Sequence, residues 1–427
     1  MDFSYKKNDN KILFEALENQ QLLNVKDAQN YIPIYQRFFT LNDSNYNNIN
    51  LNQHLRITNV LKKYTENKYA ATVENEKGEA KSKDVFFKMI PLLDPLKYMT
   101  SKYDLSNSNL LNLPCFMDDG KGLAKVRDPN NAAYVDSFFT YLTSQMLHIH
   151  NFIHGVDYFG SYLATKNDLL INIADDLEYL QESKAFHQNR GGIYQIENDF
   201  HSELINYDTR NYKKPLKLSE TIEAASVLEL SDVEDLSHLD EIFMNKEKLE
   251  DSDAEEMKLL YDSPIETRSN DDSSSDCSSR SSNTSGNSNA DDENISETND
   301  DPESVVETIS TASEDEIFVK FKEFPVQLVA LEKCHKTLDS LVSTEELSDD
   351  EMGSIVVQIL MMLITYQKVF GLTHNDLHTN NVMYIETDKQ YIYYKYNDTH
   401  YKVPTFGKIL KIIDFGRAIY KFRGNVI

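Results

Sequence analysis

Residues 218–316 divide the chain. Thirty acidic and five basic residues lie between Glu220 and Glu316, so this stretch carries −25 of the total formal charge of −27. It is rich in Ser and poor in aromatic residues, with low-complexity runs such as Ser273-Ser274-Ser275-Asp276-Cys277-Ser278-Ser279. A segment of that composition buries too little apolar surface to offset the entropy of ordering it. The expectation is a disordered insertion, with Ala225–Leu230 and Leu236–Phe243 as candidates for transient helix. Ser231-Asp232-Val233-Glu234 and Ser313-Glu314-Asp315-Glu316 fit the pattern of acid-directed phosphorylation, although any Ser among acids fits it. The functional reading of the insertion is a regulatory or partner-binding segment.

The folded body must then come from residues 1–217 and 317–427. Together these flanks are close to neutral, at −2, which excludes a basic nucleic-acid-binding body. Apolar residues make up 40% of the chain and aromatic residues 11%, enough for a core in part of it. Cys115, Cys277 and Cys334 form neither a disulfide framework nor a zinc pattern, and they suit a reducing compartment. Met1–Lys7 lacks the apolar core of a signal peptide. The longest apolar run, Ile355–Tyr366, contains Gln358 and falls short of the roughly 20 residues that a bilayer requires. A soluble intracellular protein, bound to neither membrane nor nucleic acid, is expected.

Local patterns sketch the elements. Ile12, Leu13, Leu17, Leu22, Leu23 and Val25 recur at loosely helical spacing, so helix is expected over residues 11–39 with a break at Pro33. The Asn-rich stretch 42–52 reads as loop. Tyr69–Val73 and Val85–Ile90 read as strands joined by a polar turn that pivots on Gly78. Phe138, Tyr141, Leu142, Gln145, Met146 and Ile149 step along one face of a helix over Ala132–His150. His148, His150 and His154 come without acidic or Cys ligands and read as structural, not as a metal site. Strands are expected at 155–164 and 169–173. Order returns at Ile317, where Phe324–Leu331 is apolar enough for a buried strand and runs into a short connection and small helix within 332–341. Ser348-Asp349-Asp350-Glu351 is a capping box, with Leu347 and Met352 placed to staple it, and it opens a helix that Gly371 closes. Runs at 382–385 and 391–396 read as a hairpin, and 408–413 as a further strand.

The chemistry follows that capped helix. His374-Asn375-Asp376-Leu377-His378-Thr379-Asn380-Asn381 sets an Asp five residues before an Asn, and Ile413-Asp414-Phe415-Gly416 supplies a second Asp. One Asp to accept or orient a hydroxyl proton, with an Asn and another Asp to hold Mg2+ through oxygen, is the minimum apparatus for moving a phosphoryl group from a nucleoside triphosphate to a hydroxyl. His374 is expected to pack beneath the loop. Lys88, inside Val85-Phe86-Phe87-Lys88-Met89-Ile90, is an ammonium in an apolar strand, which is costly if buried without a partner. Read from the strand alone, it is a solvent-facing Lys on an edge strand.

These motifs, in this order behind this helix, resemble the catalytic loop and the Asp-Phe-Gly element of protein kinases. With the Tyr-rich run between them and Val403-Pro404-Thr405-Phe406-Gly407-Lys408, they are similar to the serine/threonine protein kinases of mimivirus-type giant DNA viruses, densely over 324–422 and loosely over 30–170. The resemblance implies an α+β, protein-kinase-like bilobal fold. Residues 1–217 would hold a β-rich N-lobe, 218–316 the acidic insertion, and 317–427 the hinge, the catalytic loop and an incomplete helical C-lobe. It implies ATP and Mg2+ as cofactors and a protein as substrate. Asp376 falls on the catalytic base, Asn381 and Asp414 on the metal ligands, Lys88 on the α- and β-phosphates, and the backbone of Glu332 to Cys334 on the adenine edge. It also implies a Glu on the helix over 132–150 to pair with Lys88. That helix offers only Asp136, which has a shorter reach and reads more simply as a solvated first-turn acid favoured by the helix dipole.

The chain departs from the kinase pattern in four places. Lys62–Lys68, ahead of the Lys88 strand, contains no Gly to let backbone close on phosphate oxygens. Asn375 stands where regulated kinases carry an Arg for an activation-segment phosphate. His378 replaces the usual Lys, as in haspin-like kinases and aminoglycoside-type phosphotransferases. Only Arg417–Ile427 follows the Asp-Phe-Gly element, where the family has an activation segment and several helices. Three readings stand: an ATP-dependent serine/threonine protein kinase, a non-catalytic kinase-derived interaction module, and a small-molecule phosphotransferase.

Overall fold

The computed structural model describes residues 3–117, 123–197 and 317–427. The acidic insertion, Cys277 and the candidate phosphoacceptors Ser231 and Ser313 lie outside the described residues. The chain opens with strand β1 (Tyr5–Lys7), helix α1 (Lys11–Leu17), β2 (Val25–Gln29) and β3 (Ile49–Leu51). Three longer strands follow, β4 (Leu55–Lys63), β5 (Lys68–Asn75) and β6 (Ala80–Pro91). After the short helices α2 (Pro95–Met99) and α3 (Ala124–Arg127) comes α4 (Ala132–His150), then strand β7 (Tyr158–Asn172). Helices α5 (Leu177–Gln181) and α6 (Lys184–Asn189) lead to β8 (Gln195–Ile196). Strand β9 (Phe318–Glu332), α7 (Leu338–Thr344) and α8 (Asp349–Phe370) precede β10 (Val382–Glu386), β11 (Tyr391–Tyr396), β12 (Thr399–Pro404) and β13 (Lys408–Ile412). The described chain closes on β14 (Lys421–Phe422) and β15 (Asn425–Val426).

The architecture is mixed α and β. Among the described residues, seven strands form one antiparallel sheet in the order β2-β7-β9-β6-β5-β4, with β8 added to β9. The sheet curls, so that β4 also meets β7. Alternation drives it: Tyr69, Ala71 and Val73 of β5 and Val85 and Phe87 of β6 point to one buried face. Side chains on the other face of β6, Lys88 among them, point the opposite way. Glu197 N–H donates to the Phe318 carbonyl at 3.0 Å, and Lys320 pairs with Glu197 at 2.6 Å. The two ends of the described chain that flank residues 198–316 therefore leave the sheet side by side.

Several local expectations are corrected. The helix expected over 11–39 stops at Leu17; Val25 lies instead in β2, opposite Lys166 of β7. Tertiary pairing overrides a loosely periodic pattern there. The Asn-rich stretch does contribute a strand, β3, and a buried amide network: Asn10 Nδ2 donates to Asn30 Oδ1 at 2.5 Å and to Asn50 Oδ1 at 2.9 Å. The two strands expected within 155–173 are one, β7. The hairpin expected between 382–385 and 391–396 does not form. β10 pairs with β13, Val382 opposite Ile412, and β11 pairs with β12 across Asn397 and Asp398. Both turn residues have positive φ, 48° and 59°, as a two-residue hairpin turn demands.

Helix α8 carries its expected caps. Ser348 and Glu351 form the reciprocal capping box, and Gly371, at φ 57°, closes the helix. The apolar run judged too short for a bilayer belongs to a helix of 22 residues, long and apolar enough by length and composition to cross one. Its inner face, however, is bonded to protein. Buried Gln358 donates to the Lys408 carbonyl at 3.3 Å and accepts from Leu410 N–H at 3.0 Å, and Ser354 donates to the Pro404 carbonyl at 2.5 Å. These bonds make α8 the support for β13 and for the loop that follows Gly371.

Candidate active site

Three parts of the chain converge on Lys88. The residue lies on β6 between β5 and β9, opposite Val329, so it is on an interior strand and not on an edge. Its ammonium donates to Asp136 Oδ2 of α4 at 2.9 Å and to Asp414 Oδ1 at 3.2 Å. Their side chains are 13%, 3% and 17% exposed. Asp136 is therefore the partner of Lys88, and the reading of it as a solvated acid is overturned. Close packing of α4 on the sheet, with Ala133, Ser137 and Thr140 buried on it, brings the shorter side chain within reach. Asp136 also accepts from Phe415 N–H at 2.6 Å, which locks the Asp-Phe-Gly turn to the helix. Asp414 itself sits at φ 62°, a left-handed conformation that turns its carboxylate toward Lys88.

Electrostatics follow from this geometry. Burial alone would lower the Lys88 pKa; the charges and hydrogen bonds of Asp136 and Asp414 outweigh it and hold the ammonium above its ordinary value. Burial is also the largest influence on each carboxylate. In Asp136 it prevails over Lys88, with Asp414 adding to it, and the pKa is raised. In Asp414 the attraction of Lys88 and the hydrogen bonds from Lys88 and Gly416 prevail, and the pKa is lowered.

Asp376 and Asn381 are joined within their own loop and to the Asp414 segment. Asn381 Nδ2 donates to the Asp376 carbonyl at 2.9 Å, and the Asn381 carbonyl accepts from Ile413 N–H at 3.0 Å. The β10–β13 pairing enforces this, because Val382 and Ile412 face each other one residue inward. His374 donates from Nε2 to the Ile413 carbonyl at 3.0 Å and packs against Phe415, ring centroids 5.3 Å apart. Burial lowers its pKa, so it is a neutral structural ring beneath the loop, as expected. Phe415 completes an aromatic cluster with Phe139, Tyr366, Phe370 and Tyr420.

Glu332 and Cys334 stand apart from that cluster. With Lys88 opposite Val329 and Glu332 three residues further along β9, the separation along the strand is about 10 Å. Glu332 N–H donates to the Asp157 carbonyl at 2.9 Å, and its carboxylate accepts from Asp157 N–H at 2.7 Å and from Lys411 Nζ. Lys411, on β13 and 1% exposed, also donates to the Gly155 carbonyl at 2.6 Å. Among the described residues no backbone hydrogen bond uses the Cys334 N–H or carbonyl. Burial, with Glu332 adding to it, pushes the Cys334 thiol up to about 12, so it is no ready nucleophile.

Sequence reasoning passed over Arg417, which pairs with Asp376, and Lys411. Lys411 carried the same signal as Lys88, a cation inside an apolar strand. The turn Tyr64–Asn67, between β4 and β5, has no Gly and is closed by an ion pair of Lys63 with Glu66. Among the described residues, no group of three or more His, Cys, Asp or Glu side chains could hold a metal ion. Comparison with known proteins found no matching family model and no matching curated protein.

Proposed function

We propose that the chain is a protein-kinase-like phosphotransferase, similar to those of mimivirus-type giant viruses, that moves the γ-phosphate of ATP to a Ser or Thr hydroxyl of a protein. The curled sheet with α4 would be the smaller lobe, and α8 with the loop and β10–β13 the start of the larger one. The observation that carries the reading is the contact of Lys88 with Asp414, 326 residues apart in sequence and 3.2 Å apart in space. A cation on an interior strand, a carboxylate after a left-handed turn and an Asn–Asp loop bonded to it suit phosphate, metal and hydroxyl respectively. Lys88 would hold the α- and β-phosphates. Cys334 N–H and the Glu332–Cys334 carbonyls would meet the adenine, at a distance from Lys88 that a nucleotide can bridge.

The residues fit Mg2+. Asn381 spends its amide nitrogen on Asp376 and His378, which leaves Oδ1, and Asp414 spends Oδ1 on Lys88. Two such oxygens are too few for a protein cage, but Mg2+ is commonly held by one or two protein oxygens together with substrate phosphates. Bound there, it would neutralise charge on the phosphates. Asp376 would orient the acceptor hydroxyl and take its proton.

A second reading, a non-catalytic interaction module, is favoured by one feature. The turn ahead of the Lys88 strand offers Glu66 where close backbone N–H groups would be needed for phosphate. Thermal melts with and without ATP and Mg2+ and transfer of labelled γ-phosphate to dephosphorylated casein separate the two. The kinase reading expects a melting shift and transfer that Asp376→Asn lowers to a small residual rate without loss of stability. No shift at millimolar nucleotide and no transfer would leave the second reading standing.

A further inference from the structure

Arg417 has no role in the assignments above, yet it lies on the residue proposed as the base. Its Nη1 donates to Asp376 Oδ1 at 3.3 Å, the two side chains being 32% and 15% exposed. The backbone that presents it is fastened at several points. Asn375 Nδ2 donates to the Arg417 carbonyl at 3.0 Å. Ala418 N–H donates to the Phe415 carbonyl at 3.0 Å, and Ile419 exchanges both backbone hydrogen bonds with Thr373 at 2.9 Å. The segment after Asp-Phe-Gly is thus stitched to the segment that leads into the Asp376 loop.

Among the described residues, Arg417 is the cation paired with the Asp376 carboxylate. Lys88 is held between Asp136 and Asp414. Asn381 Nδ2 must be a donor, because it bonds to the Asp376 carbonyl, and the same nitrogen faces His378 Nε2 at 3.1 Å. That ring nitrogen therefore accepts from the Asn381 amide and is engaged there. His374 is neutral and bonded to Ile413.

We infer that Arg417 is the positioning residue of the transfer: its guanidinium holds Asp376 by Oδ1 and so presents Oδ2 to the acceptor hydroxyl. The inference rests on the reading of Asp376 as the base. A carboxylate otherwise turns freely about its last bond, and a charge-assisted hydrogen bond removes that freedom. In the step itself, the acceptor oxygen bonds the γ-phosphorus and the bond to the β–γ bridging oxygen breaks. ADP departs with that oxygen, and the hydroxyl proton passes to Asp376 Oδ2. Arg417 touches neither nucleotide nor acceptor and acts only through Asp376.

The test compares wild type, Arg417→Met, Arg417→Lys, Asp376→Asn and the Arg417→Met/Asp376→Asn double variant, with casein as acceptor and melting temperatures as a control for folding. Arg417→Met is expected to lower kcat by about 10- to 100-fold, as a misplacement of the base would. KM for ATP should stay within about twofold, because Lys88, Asn381 and Asp414 are untouched. Arg417→Lys should recover part of the loss, since a point charge restores attraction without the planar fork. The double variant should be no slower than Asp376→Asn alone. Losses that multiply, or an unchanged kcat in Arg417→Met, overturn the inference while wild-type transfer leaves the kinase reading intact. Absence of Asp376-dependent transfer by the wild type overturns the reading itself, and the inference with it.

Discussion

Replacing Lys88 by Met removes the one ammonium shared by two buried carboxylates. Stripping one partner from a buried ion pair costs about 3–5 kcal/mol, because a charge is left without compensation. Here two are left, Asp136 at 3% exposure and Asp414 at 17%. The pH dependence separates this cost from a simple packing defect. In the wild type, Asp414 titrates below its ordinary 3.8, so its share of stability is present above that value and is lost as pH falls through the lower folded pKa. Asp136 behaves oppositely. Its folded pKa is raised, so its share is complete below 3.8 and is lost as pH rises through the folded value. Lys88 is raised above 10.5, and its share is lost only in alkali. Without Lys88, burial governs both carboxylates, and both follow the pattern of Asp136. The variant should therefore lie close to the wild type near pH 4 and fall behind progressively, reaching about 3–5 kcal/mol at neutral pH. Because the chain has no Trp, urea unfolding is followed by far-ultraviolet circular dichroism at several pH values. A deficit of the same size at every pH would refute the electrostatic argument and reduce Lys88 to a packing residue.

Two further outcomes test the frame around the site. Gly155→Ala would put a Cβ 2.2 Å from the Thr143 carbonyl oxygen, so a loss of about 3 kcal/mol is expected in a thermal melt; an unchanged melting temperature would mean that α4 and the following turn are not so tightly apposed. Lys411→Met should cost about 3–5 kcal/mol in urea unfolding by stranding the Glu332 carboxylate, and adding Glu332→Gln should return part of it; a double variant no better than the single one would dissolve the pair.

Signals that act over a few residues were legible in the sequence. Ser348 with Glu351, and Gly371 at the other end, state the bounds of α8 because caps satisfy backbone groups locally. Ala132–His150 was readable because apolar residues from Phe138 to Met146 return at helical spacing. Asp376, Asn381 and Asp414 could be singled out by residue type and spacing alone, and the structure bonds the Asn381 carbonyl to Ile413 N–H beside Asp414. Pairings set by the whole sheet were not legible. Val25 joins β2 because β7 offers it an edge, and β10 passes over its neighbour β11 to reach β13. Asp136 was discounted on its side-chain length and its place in the first turn of α4. The approach of α4 to β6 decides that question, and no local pattern encodes it. The Asn397-Asp398 turn, by contrast, carried a signal that strand counting overlooked.

Glu197 and Phe318 meet as neighbours in the ladder, so the polypeptide between them departs and returns through one doorway. Closing a loop costs free energy that grows only with the logarithm of its length, about 0.6 kcal/mol per doubling. A change of chain length between those two residues would therefore carry a closure cost of only that order, so long as Glu197 and Phe318 keep their places in the ladder.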